Sequence, residues 1–178
     1  MAENDVDPRL RTAAEQVVAS YARAVDRSDW ELLRSLYHPD AVIDHGAYAG
    51  DVDGFIDFVR GRREGIVHTA HYVANLLVEP LPGDRLAVEA YGWAVQTFAA
   101  PSPLVPAGSA GTTYRSTYRY VDLLGRHGDR WVFVETHLVL GDLEVEQHAE
   151  QPARRAGLTQ LPSTDDPLYA LLARWRSP

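Results

Sequence analysis

Residues 21–50, which read YARAVDRSDWELLRSLYHPDAVIDHGAYAG, decide the fold of this chain. Within them one helix ends, a short second helix begins and stops before a proline, and a strand follows. Ser28 and Glu31 have the spacing of a capping box, and Asp29 would lie in the first turn of the second helix, where the dipole favours an anion. Asp26 has no such local role. It falls at the edge of the first helix's apolar stripe, so it either points inward and needs a partner or lies exposed in a turn.

Length and composition describe one ordinary soluble domain. The chain has 178 residues, 46% hydrophobic and 24% charged, which is long enough to bury a full core or a core plus a pocket. Its net charge of −8 argues against nucleic acid or an anionic membrane as the main partner. The absence of cysteine excludes disulfides, thiol nucleophiles and thiolate metal sites. The acidic N-terminus has no apolar signal region, so we expect a cytoplasmic protein.

Three helices are predicted in the first third of the chain. Pro8 suits a helix start, and apolar residues then recur at helical spacing as far as Asp26. The second helix ends before Pro39, because a proline disfavours the helical conformation in the residue that precedes it. The predicted helices cover residues 8–26, residues 29–37, and a third segment that begins at Asp51 or Asp53 and is closed by Gly61 and Gly65.

Beyond Gly65 the apolar period changes from helical to strand-like. The letters PGD at residues 82–84 predict a tight turn between two long strands, and residues 127–129 predict another. The predicted strands cover residues 41–45, 67–81, 85–98, 114–124 and 131–140. Helices followed by long antiparallel strands are typical of an α+β domain with the helices packed on one face of a curved sheet.

The remaining segments complete the predicted organisation. Residues 99–111 are rich in Pro, Gly, Ser and Ala, which predicts a mobile loop and a candidate lid. Residues 142–163 are polar and interrupted by proline, so we expect a weakly structured tail, followed by a short helix near residues 166–176 whose apolar stripe docks on this subunit or a neighbour. We divide the chain into a flexible N-terminus at 1–7, a domain at 8–141 and a C-terminal extension at 142–178.

The order of these motifs resembles that of one superfamily. After residues 21–50 come TAHYVANLLVE at 69–79, YGWAVQ at 91–96 and RWVFVE at 130–135. Together, over about residues 10–141, they resemble the nuclear transport factor 2-like superfamily and within it the SnoaL-like branch. The resemblance implies a cone-like fold in which a curved antiparallel sheet and three helices enclose a deep apolar pocket, and a homodimer. Its members include dehydratases, a dehydrochlorinase, isomerases, polyketide cyclases, non-catalytic binding proteins and assembly subunits.

The resemblance also implies a catalytic pair. Asp26 and His71 fall on the positions where the dehydratases and the dehydrochlorinase place an aspartate that orients a proton-abstracting histidine. A neutral imidazole titrates near neutral pH, and a carboxylate on its other nitrogen stabilises the imidazolium that forms. The alternative is a core histidine held by a backbone carbonyl. His45 occupies the place of a dehydratase tyrosine or an isomerase aspartate, and is either an acid or hydrogen-bond donor or a turn residue facing solvent.

Two departures leave the exact reaction open. The dehydratase pattern has a second histidine where residues 91–93 read Tyr, Gly, Trp, and Tyr21 replaces a dehydrochlorinase lysine. Strand alternation places Asn75 on the face of His71, and places the tyrosines at 118 and 120 opposite Arg119. The predicted substrate-binding residues are Tyr21, Trp30, Tyr37, Asn75, Tyr91, Tyr118, Tyr120 and His137.

We expect a cofactor-independent lyase or isomerase acting on a small apolar metabolite such as a polyketide, terpenoid or steroid-like compound. No metal site is predicted, because the histidine and carboxylate spacings put neighbours on opposite strand faces without a third ligand. The sequence has no phosphate-binding or serine-nucleophile motif. Two alternatives remain open: a non-catalytic binding protein with the same pocket, and an assembly subunit with the same fold and a vestigial pocket. A homodimer, without nucleic acid or membrane, is the expected form.

Overall fold

The computed structural model describes residues 6–100, 111–148 and 162–176. Four helices and six strands lie within these residues. In chain order they are α1 Pro8–Arg27, α2 Trp30–Ser35, β1 Tyr37–Asp44, β2 Ala49–Gly50, α3 Val52–Arg62, β3 Ile66–Leu81, β4 Arg85–Phe98, β5 Thr112–His127, β6 Arg130–Gln147 and α4 Pro167–Arg176. The described helices include none long and apolar enough to cross a membrane.

The strands form one curved, unclosed sheet in the order β2-β1-β6-β5-β4-β3. All neighbours pair antiparallel except β1 and β6, which run parallel, so the predicted sheet is antiparallel in all but this pair. Helix α1 lies against β3, and α3 lies against β1. The helices thus cover the concave face, and the predicted α+β class with a cone-like sheet is confirmed.

Alternation along the strands builds the core. On β4 the inward side chains are small or aliphatic, with Leu86, Val88 and Ala90 almost fully buried. They meet the apolar stripe of α1, where Ala14 and Val18 are equally buried. Since each buried aliphatic side chain contributes roughly 1.5–3 kcal/mol, this interface holds α1 on the sheet and fixes the position of its last turn.

The corner between α1 and α2 differs from the predicted capping box. Ser28 has φ of +54° and ends α1 as its C-cap, and its hydroxyl donates to the Pro162 carbonyl at 3.0 Å. Asp29 caps α2 instead, accepting from the Leu32 amide at 3.0 Å. The capping-box prediction is wrong because a serine in the left-handed conformation closes the first helix and is not available to open the second. The second helix is also shorter than predicted, since Tyr37 already begins β1.

A bulge in β3 inverts the predicted alternation. Asn75 has φ of +49°, and the pairing with β4 shifts between Ala74 and Leu77. An extra residue in one strand exchanges the two faces beyond it. Leu76 therefore packs on the core, whereas Leu77 is half exposed.

The C-terminal part of the sheet is longer than predicted. β6 continues to Gln147, and residues 143–147 pair with residues 112–116 of β5. The interpretation of residues 142–163 as a weakly structured tail is therefore wrong for 142–147, because strand pairing satisfies their backbone despite their polar side chains. Residues 149–161, and residues 101–110 of the candidate lid, lie outside the described residues.

The predicted C-terminal helix is present as α4 and docks beside the end of α1. Nε of Arg27 lies 3.2 Å from Oδ2 of Asp166, and both side chains are largely buried. The guanidinium of Arg23 lies 5.2 Å from the centre of the Tyr169 ring. These contacts place α4 next to the corner that carries Asp26.

Candidate active site

The concave face of the sheet and the helices α1 and α3 enclose a cavity of about 250 Å³. Its volume lies just below the roughly 300–1,000 Å³ of typical ligand pockets, which favours a small ligand. Aliphatic and aromatic side chains form most of the wall. The polar lining includes Tyr21, His45, Arg62, His71, Tyr118 and Tyr120.

The pair predicted to be catalytic is in contact at one side of this cavity. Nδ1 of His71 lies 2.6 Å from Oδ1 of Asp26. The same carboxylate accepts the His71 backbone amide on Oδ2 at 2.9 Å and the Thr69 hydroxyl on Oδ1 at 3.2 Å. His71 lines the cavity, whereas Asp26 lies behind it. The carboxylate at the end of α1 thus holds both the backbone and the ring of the histidine on β3.

The charge state of Asp26 follows from these contacts. Burial raises the pKa of the carboxyl, but the hydrogen bonds and the charge of His71 outweigh burial and lower it below its ordinary value of 3.8. Asp26 is therefore ionised at neutral pH. Because a carboxylate only accepts hydrogen bonds, the proton of a neutral His71 ring lies on Nδ1, and Nε2 is left as the basic nitrogen.

Arg63 braces the turn that carries Asp26. Its Nη2 donates to the Asp26 carbonyl at 3.1 Å, and its Nε donates to the Ser28 hydroxyl at 3.2 Å. A longer contact of 3.4 Å joins Nη2 to the Pro162 carbonyl. Three segments distant in sequence therefore meet at the backbone of Asp26.

Three tyrosines form the wall beside the dyad. The ring centroids of Tyr118 and Tyr120 lie 4.7 Å apart, and those of Tyr120 and Tyr21 lie 5.5 Å apart. The Tyr118 ring is 6.2 Å from that of His71. Burial raises the pKa of all three phenols above the ordinary value of 10.0. They are neutral at physiological pH and can donate hydrogen bonds to a ligand.

His45 is buried at the end of β1. Its ring centroid lies 4.6 Å from that of Phe55 and 5.9 Å from that of Tyr120. Burial, with smaller contributions from the positive charges of Arg62 and two other histidines, lowers the pKa of His45 to about 4, although Asp44 opposes the shift. Its Nε2 is shielded from solvent and has no hydrogen-bond partner among the described residues. The ring is thus neutral at pH 7, and the alternative of a solvent-facing turn residue is wrong.

Residues 9–137 match the profile of the SnoaL-like domain. The chain belongs to the SnoaL-like family. No curated protein matches it. Among solved structures, it is similar to a proposed scytalone dehydratase from Novosphingobium aromaticivorans, with 15% identity, a TM-score of 0.66, and coverage of 85% of this chain and 96% of the other. It is also similar to a hexachlorocyclohexane dehydrochlorinase from Novosphingobium barchaimii, with 17% identity, a TM-score of 0.68, and coverage of 82% and 97%. At these identities the likeness concerns the fold.

Three of the eight predicted substrate-binding residues of this SnoaL-like domain line its cavity: Tyr21, Tyr118 and Tyr120. Two others lie among the helices or in the core. Trp30 borders a separate surface groove between α2 and α3, below the guanidinium of Arg60. Tyr37 is buried in the core, with its ring 6.5 Å from that of Tyr21 on the side away from the cavity.

The last three lie on the sheet but not in the cavity wall. Asn75 is exposed in the bulge of β3, where the extra residue takes it out of the inward-facing row. Tyr91 is half exposed on the convex face below the guanidinium of Arg119. His137, on β6, donates a hydrogen bond of 2.7 Å from Nε2 to the Glu135 carboxylate on the same convex face. Alternation alone does not say which of two faces is concave, and for Tyr91 and His137 the sequence prediction selects the wrong one.

Arg62 also lines the SnoaL-like cavity, although the sequence analysis did not select it as a site residue. Phe55, Phe58, Val59 and Arg62 all line the cavity. Their spacing of three and four residues on α3 marks a single helix face. The position of Arg62 at the end of this apolar helix face is the sequence feature that could have identified it as a cavity residue.

The absence of the second histidine of the dehydratase pattern from β4 is explained by Gly92. This glycine pairs with Tyr118 across the β4–β5 ladder, and a Cβ at Gly92 would come within 2.7 Å of the Tyr118 ring. The tyrosine ring thus occupies the inward space that a side chain on β4 would fill. Within the described residues, no three His, Cys, Asp or Glu side chains cluster so as to hold a metal ion.

Proposed function

We propose that this protein is a cofactor-independent lyase or isomerase that removes a proton from a small, mostly apolar metabolite, such as one with a polyketide, terpenoid or steroid-like skeleton. The observation that carries the proposal is the 2.6 Å contact between Asp26 Oδ1 and His71 Nδ1 at the wall of an apolar cavity. It leaves Nε2 of His71, for which no described residue is a partner, to take the proton from a ligand.

In the proposed reaction His71 is the general base. Its Nε2 takes a proton from a carbon of the substrate, and the ionised Asp26 stabilises the imidazolium that results. A hydroxyl of the hydrogen-bonded cluster of Tyr118, Tyr120 and Tyr21 donates to the oxygen on which negative charge develops. His45, neutral at pH 7, serves as a hydrogen-bonding group to the substrate in this scheme, because a ring with a pKa of about 4 is not a cationic acid at that pH.

The structural relatives support an elimination or a related proton transfer. The two similar structures carry the names of a dehydratase and a dehydrochlorinase, whose reactions remove water and hydrogen chloride. Both kinds of elimination need a base beside a carbon–hydrogen bond and a group that assists the leaving atom. The dyad and the tyrosines of this chain supply these two parts in the proposal.

The proposal is tested with the full chain and a panel of small β-hydroxy and β-halo ketones. We expect His71→Ala to lower kcat by about 10²–10⁴-fold, which is the usual contribution of a general base. Asp26→Asn should lower kcat by about 10²-fold with little change in KM, because the amide cannot stabilise the imidazolium. His137→Ala, which changes a histidine on the convex face, is the matched control and should retain wild-type turnover.

Two outcomes would contradict this assignment. Turnover that survives both dyad substitutions would mean that the base lies elsewhere. Compounds that bind in the cavity of the wild-type protein and are recovered unchanged would identify a non-catalytic binding protein.

We also propose that a second copy of this chain covers the convex face. We define this face by its exposed apolar residues on β3 to β6: Tyr72, Tyr91, Trp93, Val121 and Val139. At its centre, Arg119 and Glu89 form an ion pair of 2.6 Å. A two-fold axis there would place each copy's cation near the other's anion, so the face is self-complementary in charge as well as apolar. The cytoplasmic location stays a prediction.

A further inference from the structure

The guanidinium of Arg62 lies in the cavity wall without a carboxylate partner. Arg62 is in the last turn of α3, and its guanidinium carbon lies 5.6 Å from the centre of the Phe58 ring. Within the described residues, no carboxylate oxygen comes within 4.0 Å of it, and none of its donors makes a hydrogen bond. An arginine has five N–H donors, so this side chain can still bind an acceptor.

Several exposed arginines of this chain have a carboxylate partner. Acidic residues outnumber basic ones by 25 to 17, so carboxylates are plentiful on its surface. The pairs within 4.0 Å include Arg11–Glu15, Arg34–Asp53, Arg60–Asp57, Arg115–Glu146 and Arg119–Glu89. Arg62 lines the cavity without such a pair, although Asp142 also lines it, so its donors remain available to an anion supplied by a ligand.

The charge of Arg62 also acts on the buried ring of His45. This positive charge is one of the causes, after burial, that lower the pKa of His45, and burial lowers the pKa of Arg62 itself. Arg63, the next residue, also lines the cavity and has Nη1 buried without a hydrogen-bond partner among the described residues. Burial lowers the pKa of Arg63 to about 10, so it is still charged at pH 7. Keeping two cations in an apolar site costs free energy, which a bound anion offsets.

We propose that the substrate carries a carboxylate and that Arg62 binds it at the α3 end of the cavity. The planar guanidinium fork matches a carboxylate and can donate two parallel hydrogen bonds to it. The apolar body of the ligand then points toward His71. Only this last orientation rests on the proposed function, because binding of the acid needs no catalysis.

Matched acids and amides test the proposal without knowledge of the substrate. The probes are cinnamate and cinnamamide, and 4-phenylbutyrate and 4-phenylbutyramide, which differ within each pair only in charge. Their dissociation constants for the full chain are measured by NMR titration at pH 7.5. We expect each acid to bind the wild-type protein at least about tenfold more tightly than its amide, a difference equivalent to about 1.4 kcal/mol.

Variants then assign the preference to Arg62. Arg62→Met, which keeps an unbranched apolar side chain, should abolish the preference for the acid. Arg62→Lys should retain part of it, because the charge remains but the fork is lost. Arg60→Met is the matched control on the outer side of the same helix, and should bind both compounds as the wild-type protein does.

The outcomes of these measurements distinguish the carboxylate site from the proposed lyase or isomerase function. Equal affinity of the wild-type protein for acid and amide, or no binding of either acid, overturns the carboxylate site, and this comparison does not depend on the folding of any variant. An acid preference that survives in Arg62→Met likewise overturns the assignment. If the acids bind as expected but the dyad variants retain turnover, the carboxylate site stands and the proposed base is wrong.

Discussion

At the scale of single residues, the buried ring of His45 links the cavity to the stability of the fold. Its pKa falls from 6.5 to about 4 on folding, chiefly because burial disfavours the charged ring. The unfolded chain therefore binds a proton between these two pH values that the folded chain does not. Stability from His45 is fully present above pH 6.5 and is lost as the pH falls toward 4.

We expect the free energy of unfolding to fall by up to about 3 kcal/mol over this interval because of His45, at about 1.4 kcal/mol per pKa unit. His45→Phe removes the titration and keeps a ring against Phe55, so its unfolding free energy should fall by correspondingly less. Urea unfolding at pH 7, 6, 5 and 4 measures the difference between the two proteins. His127→Phe, which changes an exposed histidine at the end of β5, is the control.

Other buried carboxyls do not obscure this comparison. The lowered pKa of Asp26 means that its stabilising effect is lost only below its ordinary value of 3.8, outside the interval. Burial raises the pKa of Asp122 well above 3.8, so this residue favours the folded state as the pH falls. Asp122 acts equally in wild type and variant and cancels in the difference. Parallel pH profiles for wild type and His45→Phe would refute the role given to His45.

At the scale of elements, the close approach of β3, β4 and β5 depends on Gly92. A Cβ there would meet the Tyr72 carbonyl oxygen at 2.5 Å and the Tyr118 ring at 2.7 Å. The carbonyl belongs to the paired strand and cannot turn away. The missing side chain thus sets both the strand spacing and the position of the tyrosine ring.

We therefore expect Gly92→Ala to lower the free energy of unfolding by about 1–3 kcal/mol, the usual cost of overpacking. Gly125→Ala is a matched control in the same sheet, because its Cβ would meet only the end of the Val134 side chain, at 2.8 Å. Urea unfolding of the three proteins measures both effects. Equal losses in the two variants would mean that the contact with Tyr72 and Tyr118 is not what limits position 92.

The elements of this fold follow largely from the sequence, because periodicity and turn residues determine them locally. The bounds of β4 were predicted as residues 85–98 and are observed as Arg85–Phe98, between a PGD turn and a Pro-rich loop. Bends and bulges could not be predicted from the sequence, because they depend on tertiary contacts. Asparagine adopts a positive φ more readily than most residues, but the strand pattern around Asn75 does not indicate that it does so here, and that residue alone reverses the faces of β3.

The parts of the site that depend on a single helix or strand could be predicted from the sequence. The parts that depend on packing between elements could not. Asp26 lacked a structural role within its own helix, and the family resemblance supplied His71 as its neighbour, so both residues could be selected from sequence. Their 2.6 Å contact needed the packing of α1 on β3. Tyr91 and His137 were assigned to the cavity because alternation gives two faces without saying which is covered by helices. Arg62 was missed because a helix-terminal arginine usually has a structural explanation.

At the scale of the whole molecule, the convex face is the surface most in need of a partner. Tyr72 and Trp93 stack there with their ring centroids 4.8 Å apart, and both are nearly half exposed. Contiguous apolar surface of this kind is uncommon on monomers unless it is an interaction site. The cavity lies on the opposite side of the sheet, so association through the convex face leaves it unobstructed.

We expect the full chain to sediment as a dimer and Trp93→Glu to weaken dimerisation at least about tenfold, because the substitution buries an unpaired charge. Sedimentation velocity over a concentration series gives the dissociation constants. Ala19→Glu, which adds the same charge on the exposed side of α1, should not change them. A monomeric wild-type protein, or a Trp93→Glu dimer of unchanged affinity, would argue against this interface.

The position of the tryptophans relative to the cavity has an optical consequence. The cavity wall contains four tyrosines, and no tryptophan is among the described side chains that line it. Trp93 instead lies on the convex face and Trp30 beside a groove between helices. A ligand that fills the cavity should therefore leave the emission of Trp93 nearly unchanged, whereas covering of the convex face should shift that emission to shorter wavelength. Tryptophan emission then reports association without an added label and without interference from a ligand in the cavity.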